Sequence, residues 1–285
     1  MDGAHGKSGL ILTGGGARAA YQVGVLKAVA ELVGTDSRPP FDILCGTSAG
    51  AINACALATQ ADDFAGGVAR LVDWWANLHA DDVYRSDAWG IAKTGARWLG
   101  ALTLLYRGNP ISLLDNAPLR DLIVRTLDFT RIQGHIDSGA LYAVAVTASG
   151  YTSGQSVTFY QGGPGLVEWE RTQRVGAATA MDADLLMASS ALPFIFPAVK
   201  YHREFFGDGS MRQMAPISPA LHLGADRVLV VGTGRQTADG QRVRSSVYPS
   251  LAQIAGHALN SIFLDSLEVD IERLQRINRT LAAVD

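Results

Sequence analysis

Phe41-Asp42-Ile43-Leu44-Cys45-Gly46-Thr47-Ser48-Ala49-Gly50 leads into the alanine-rich stretch Ala51 to Ala58, and this passage decides the fold. The short apolar run predicts a buried strand, and the alanine-rich run predicts a helix. At their junction stands Gly46-x-Ser48-x-Gly50, the context in which a serine is presented on a sharp strand-to-helix elbow. The glycines have a steric reason, because the bend brings residues two before and two after the serine so close that a Cβ would clash. The helix that follows aims its N-terminal amides and positive dipole end at the serine oxygen, favouring negative charge there.

A second unit lies upstream. Leu10-Ile11-Leu12 breaks into Gly14-Gly15-Gly16 and then into the helical spacing Tyr21, Val25, Leu26, Val29, Leu32. Two strand-to-helix units in succession predict an α/β fold of three layers, α/β/α, around a mainly parallel central sheet. Downstream, Asp62 to about Arg131 reads as helices laid over the sheet. Leu141 to Val146 reads as a strand with Ser156 to Tyr160 as its partner, and Arg227 to Val231 as a late buried strand. Leu251 to Leu274 has helical spacing, with Glu268, Asp270, Glu272 and Arg273 on a solvated face. With 285 residues the chain fits one domain, 1–285, with the motif-bearing core at about 8–235 and a helical C-terminal segment at about 247–280.

Composition narrows the function. The net charge of −3 gives no footprint for nucleic acid, and an apolar share of 48% argues against disorder. Cys45 and Cys55 sit in apolar surroundings, as small buried thiols rather than as a bridge or metal site. No signal peptide or membrane-spanning helix is visible, so the reading is cytoplasmic or peripheral to a membrane. Nothing in the pattern calls for a metal or a cofactor. Gly6-Lys7-Ser8 imitates the end of a P-loop, but Met1 stands where that motif needs its first glycine.

Gly14-Gly15-Gly16-Ala17-Arg18 supplies backbone amides that can approach an oxyanion with no side chain in the way. The same letters form a degenerate dinucleotide fingerprint, Gly14-x-Gly16-x-x-Ala19. That reading requires an acidic residue ending the second strand, and a serine elbow stands there instead.

The order strand, Gly-Gly-Gly-x-Arg, helix, strand, Gly-x-Ser-x-Gly, helix resembles the patatin-like phospholipases. Gly207-Asp208-Gly209-Ser210 looks like that family's downstream aspartate motif, and Ala188 to Pro197 like its approach to it; the resemblance covers Leu10 to about Gly232. It implies a patatin-like fold and a Ser–Asp dyad in which Ser48 attacks an ester carbonyl and Asp208 takes its proton. Gly14, Gly15, Gly16, Ala17, Arg18 and Ala49 would serve the oxyanion and substrate, with Gly46, Gly50 and Gly209 shaping the motifs. It also implies a lipid or ester substrate and transient contact with a membrane surface; oligomeric state is left open. Two positions depart from the family pattern: Ala19 and Ser210 each replace a glycine or similarly small residue. Ser210 is expected to add a hydrogen bond at the base.

Two other functions compete. An α/β-hydrolase triad would need a histidine after Asp208, and only His222 and His257 qualify, both within helical patterns. A catalytically silent lipid-binding domain would keep the surface without the chemistry. Arg18 reads either as an anion contact or as a pin for the glycine loop, and Trp89 to Tyr106 either as a lipid-facing cover or as packed helix.

Overall fold

The computed structural model describes residues 6–34, 39–85, 112–234 and 250–283; between 251 and 266 it describes the backbone and, of the side chains, Gln253 alone. The segment Trp89 to Tyr106 and the side chain of His257 lie outside the described residues.

Strand β1 (Lys7–Leu12) leads through a 3-10 turn (Gly16–Ala19) into α1 (Ala20–Val33), and β2 (Ile43–Thr47) leads directly into α2 (Ala49–Ala58). Among the described residues, helices α3 (Phe64–Ala76), α4 (Ala80–Val83), α5 (Ala117–Thr126) and α6 (Thr130–Ser138) follow, then β3 (Ala143–Gly150). The chain continues through β4 (Ser156–Gly162), β5 (Trp169–Arg171), β6 (Arg174–Ala178), α7 (Ala183–Ser189), β7 (Val199–Tyr201) and β8 (Glu204–Asp208). A 3-10 turn (Gly209–Met211), α8 (Ser218–His222), β9 (Ala225–Val231) and α9 (Leu251–Leu281) complete it.

The sheet order is β5-β6-β4-β3-β2-β1-β9, with β8 pairing β3 and β7 pairing β8. The stretch β9-β1-β2-β3 is parallel, as two consecutive strand-to-helix units demand. Beyond β3 the sheet becomes mixed, because the turn after Gly150 is too short for a crossover and returns β4 antiparallel. The short strands β5, β7 and β8 also pair antiparallel. Helices cover both faces. Leu10, Leu12, Leu44, Val144 and Val146 pack under α1, α2 and α3, while Ile11, Ile43, Cys45, Ala143 and Ala145 pack under α8 and the Leu267–Leu274 part of α9. Every residue of α2 is buried, which its apolar circumference requires. Helix α9 begins with a reciprocal cap, Ser250 N–H to Gln253 Oε1 at 2.8 Å and Gln253 N–H to Ser250 Oγ at 3.2 Å, and extends past the helical stretch read from the sequence to Leu281.

Parallel strands place their carboxyl ends on one edge of a sheet, where open α/β folds form their crevices. The glycine turn after β1 and the serine after β2 emerge on that edge.

Candidate active site

Ser48 occupies the junction of β2 and α2 with φ 55° and ψ −129°, a left-handed backbone conformation that a residue with a side chain adopts only where its surroundings compel it. The compulsion is visible at the flanking glycines. A Cβ on Gly46 would fall on the Ala51 backbone, and one on Gly50 on the Leu12 carbonyl oxygen. Both therefore mark close approaches of backbone to backbone.

Asp208 ends β8, beside Ala148 of β3, and Gly209 then lies so tightly on Thr147 that a Cβ would strike its carbonyl oxygen. This brings two residues 160 positions apart into contact: the Ser48 hydroxyl donates to Asp208 Oδ2 at 2.6 Å. The other oxygen, Oδ1, accepts the Ser210 amide at 2.9 Å. The bond expected from Ser210 is thus made by its backbone, while its hydroxyl is buried with no hydrogen-bond partner among the described residues. Asp208 is completely buried, and burial pushes its carboxyl from 3.8 up to about 6, against the opposing pull of the Ser48 and Ser210 hydrogen bonds.

The glycine turn faces this pair. Gly14 lies against Ser48 and Ser210, with a Cβ there falling 3.3 Å from Ser48 Cβ. Gly16 has φ +54°, and the amides of Gly15, Gly16 and Ala49 find no acceptor among the described residues. Arg18 donates its amide to the Gly15 carbonyl at 3.1 Å, tightening the turn, and its side chain is exposed outside the pocket wall.

A cavity of about 420 Å³ opens above Ser48. Gly16, Ala17 and Ala49 line it beside Ser48, and Ile52, Trp74, Leu119, Leu192 and Phe196 supply apolar walls, so it suits a hydrocarbon chain far better than a charged ligand. His79 also lines it, although it precedes Asp208 and so stands outside the chain order of a triad. Among the described residues, no histidine bonds to Ser48 or Asp208. His222 stacks on Trp169 at 4.8 Å and bonds the Ser218 carbonyl of its own helix at 2.9 Å. Burial lifts the Cys45 thiol to about 12 and raises that of Cys55 further, leaving both protonated and unreactive.

Three supporting groups carry no signal in the sequence alone. Ser189 Oγ, fully buried, accepts the Ser48 amide at 2.9 Å and donates to the Thr147 carbonyl at 2.7 Å, clamping the strained elbow to β3. Thr233 Oγ1 holds the Gly14 carbonyl at 2.7 Å. Gln22 Nε2 reaches the Thr13 and Val231 carbonyls at 2.8 and 3.1 Å, its Oε1 accepts from Asn53, and Asn53 accepts the Trp75 indole at 2.8 Å, so a buried polar chain joins the glycine turn to the pocket wall. Removing the Ser189 hydroxyl leaves an amide and a carbonyl unpaired in the core. Ser189→Ala is therefore expected to cost about 2 kcal/mol of stability, read from a thermal melt.

A family model described as patatin-like phospholipase matches residues 10–221, from β1 to α8. The chain belongs to the patatin-like phospholipase family. It is 27% identical over 215 residues to a cGAMP-activated phospholipase of Pseudomonas aeruginosa, a match covering 75% of this chain and 55% of the relative. Among solved structures, VipD from Legionella pneumophila aligns over 71% of this chain and 46% of its own at 15% identity and a TM-score of 0.43. The type III effector protein ExoU aligns over 90% and 53% at 17% identity and a TM-score of 0.38. The chain spans about half the length of the relatives it matches. Among the described residues, no helix is long and apolar enough to cross a membrane.

Proposed function

We propose that this chain is a serine acyl-hydrolase that cleaves fatty-acyl esters of lipids, with Ser48 as nucleophile and Asp208 as its base. The observation that carries the reading is the 2.6 Å bond from the Ser48 hydroxyl to a fully buried carboxylate at one end of an apolar cavity. Ser48 Oγ attacks the ester carbonyl as its proton passes to Asp208 Oδ2, and the carbonyl π electrons move onto oxygen. The unpaired amides of Gly15, Gly16 and Ala49 and the N-terminus of α2 stabilise that oxyanion. Collapse expels the alcohol, which takes the proton back from Asp208. Water then attacks the acyl-serine with Asp208 again as base, and the fatty acid leaves.

Burial serves this chemistry. An ordinary aspartate is too weak a base for a serine hydroxyl, and a carboxyl raised to about 6 is better matched while still ionised at neutral pH. The substrate class follows from the apolar cavity and the family, and a lipid substrate implies transient contact with a lipid surface.

Turnover of a short-chain nitrophenyl ester across pH tests the reading. Asp208 must be ionised to act, so kcat/KM is expected to hold steady above about pH 7 and to fall tenfold per pH unit below about pH 6. A profile with no acidic limb in that region, on an enzyme folded throughout, would count against Asp208 as base.

A further inference from the structure

Leu192-Pro193-Phe194-Ile195 forms a tight turn, closed by the Ile195 amide donating to the Leu192 carbonyl at 3.1 Å. Pro193 takes the second position, which its fixed φ suits, and the third carries φ +66°. That position ordinarily belongs to glycine or asparagine, because a Cβ is strained at positive φ. Here it belongs to Phe194.

An aromatic residue accepts such strain in a core where burial repays it. Phe194 is 72% exposed, so the fold gains nothing from the ring it strains to display. The turn is firmly mounted: the Leu113 and Leu114 amides donate to the Phe194 and Ile195 carbonyls, each at 2.8 Å, and Leu113, joined to Phe194 through the backbone, is itself 46% exposed. Leu192 and Phe196, on either side of the turn, line the cavity above Ser48. A rigid, strained, apolar tip thus stands where the cavity wall meets solvent.

We infer that the Phe194 turn is the element that enters a lipid surface, its ring and Leu113 sinking among the acyl chains so that a lipid tail passes along Leu192 and Phe196 toward Ser48. This rests on the acyl-hydrolase reading for its substrate, while the surface contact itself requires no catalysis. The occupant is a lipid–water interface rather than a protein groove because the tip is an exposed apolar turn whose two flanking residues, Leu192 and Phe196, line an apolar cavity of acyl-chain character.

Phe194→Gly tests this without endangering the fold, since glycine relieves the positive φ; the variant should melt at or above the parent temperature. Its turnover of a soluble nitrophenyl butyrate ester should match the parent within about twofold. Partition onto phosphatidylcholine–phosphatidylglycerol vesicles, measured by cosedimentation in a Ser48→Ala background, should fall about tenfold, and hydrolysis of those vesicles should fall with it. Phe194→Trp should keep partition, with its added fluorescence quenched by lipids brominated on the acyl chain. Undiminished partition in Phe194→Gly, or no quenching in Phe194→Trp, overturns the inference. So does loss of self-association by ultracentrifugation with partition unchanged, which would make the ring a contact between copies. If instead the parent partitions as expected but never cleaves the soluble ester, the acyl-hydrolase reading fails and the docking surface stands.

Discussion

Asp208→Asn is expected to lower turnover by about 10²-fold or more, the usual loss when a general base is removed, while making the protein more stable at alkaline pH. The two effects have one cause. Burial raises the folded-state carboxyl to about 6 from an ordinary 3.8, so the ionised form opposes folding by about 3 kcal/mol once the pH is well above 6. That penalty is absent below the unfolded value of 3.8, grows between it and the folded value of about 6, stays constant at higher pH, and vanishes at every pH in the asparagine variant. Asparagine can still accept the Ser210 amide, so the shape of the site should persist. Paired melts at pH 5 and pH 8 should therefore show the variant gaining on the parent by several degrees at the higher pH, with kcat lost at both. Retained turnover would remove Asp208 from the chemistry. Loss of turnover in His222→Gln instead, with the fold intact, would install a histidine mechanism, although His222 is engaged with Trp169 and Ser218.

Ser48→Ala is expected to have the larger effect, about 10⁴-fold or more on kcat, because every covalent step depends on its oxygen. Alanine inherits the same φ of 55°, so the elbow remains as strained as before. The buried Asp208 loses one of the hydrogen bonds that lowered its pKa, so its carboxyl should rise further. Near-parent turnover of a nitrophenyl ester would mean that the nucleophile is elsewhere.

Where residue type alone carries a steric demand, the sequence is readable. Gly46 and Gly50 advertise the elbow because only a missing Cβ permits the approach to Ala51 and Leu12, and Gly14 to Gly16 advertise backbone amides for the same reason. The parallel strands of the centre are equally plain, as apolar runs each closed by glycine. The mixed outer half of the sheet is not, because β5 and β7 are three residues long and carry no alternation from which pairing could be read.

Ser189 and Thr233 are illegible for another reason. A lone hydroxyl 141 positions from Ser48 looks like any other small polar residue until tertiary packing aims it at the elbow amide. Pro193 does announce a turn, but only the backbone reveals that the next residue holds a left-handed φ with its ring exposed. His79 is illegible by chain order, because it precedes Asp208, and α3 and α4 bring it to the pocket only through space.

The most direct test of the central claim is covalent labelling with a fluorophosphonate probe followed by peptide mapping. One adduct is expected, on Ser48, forming in the parent, slowed in Asp208→Asn, and absent in Ser48→Ala. Labelling that persists at another residue in Ser48→Ala, or that proceeds at the parent rate in Asp208→Asn, would contradict the claim.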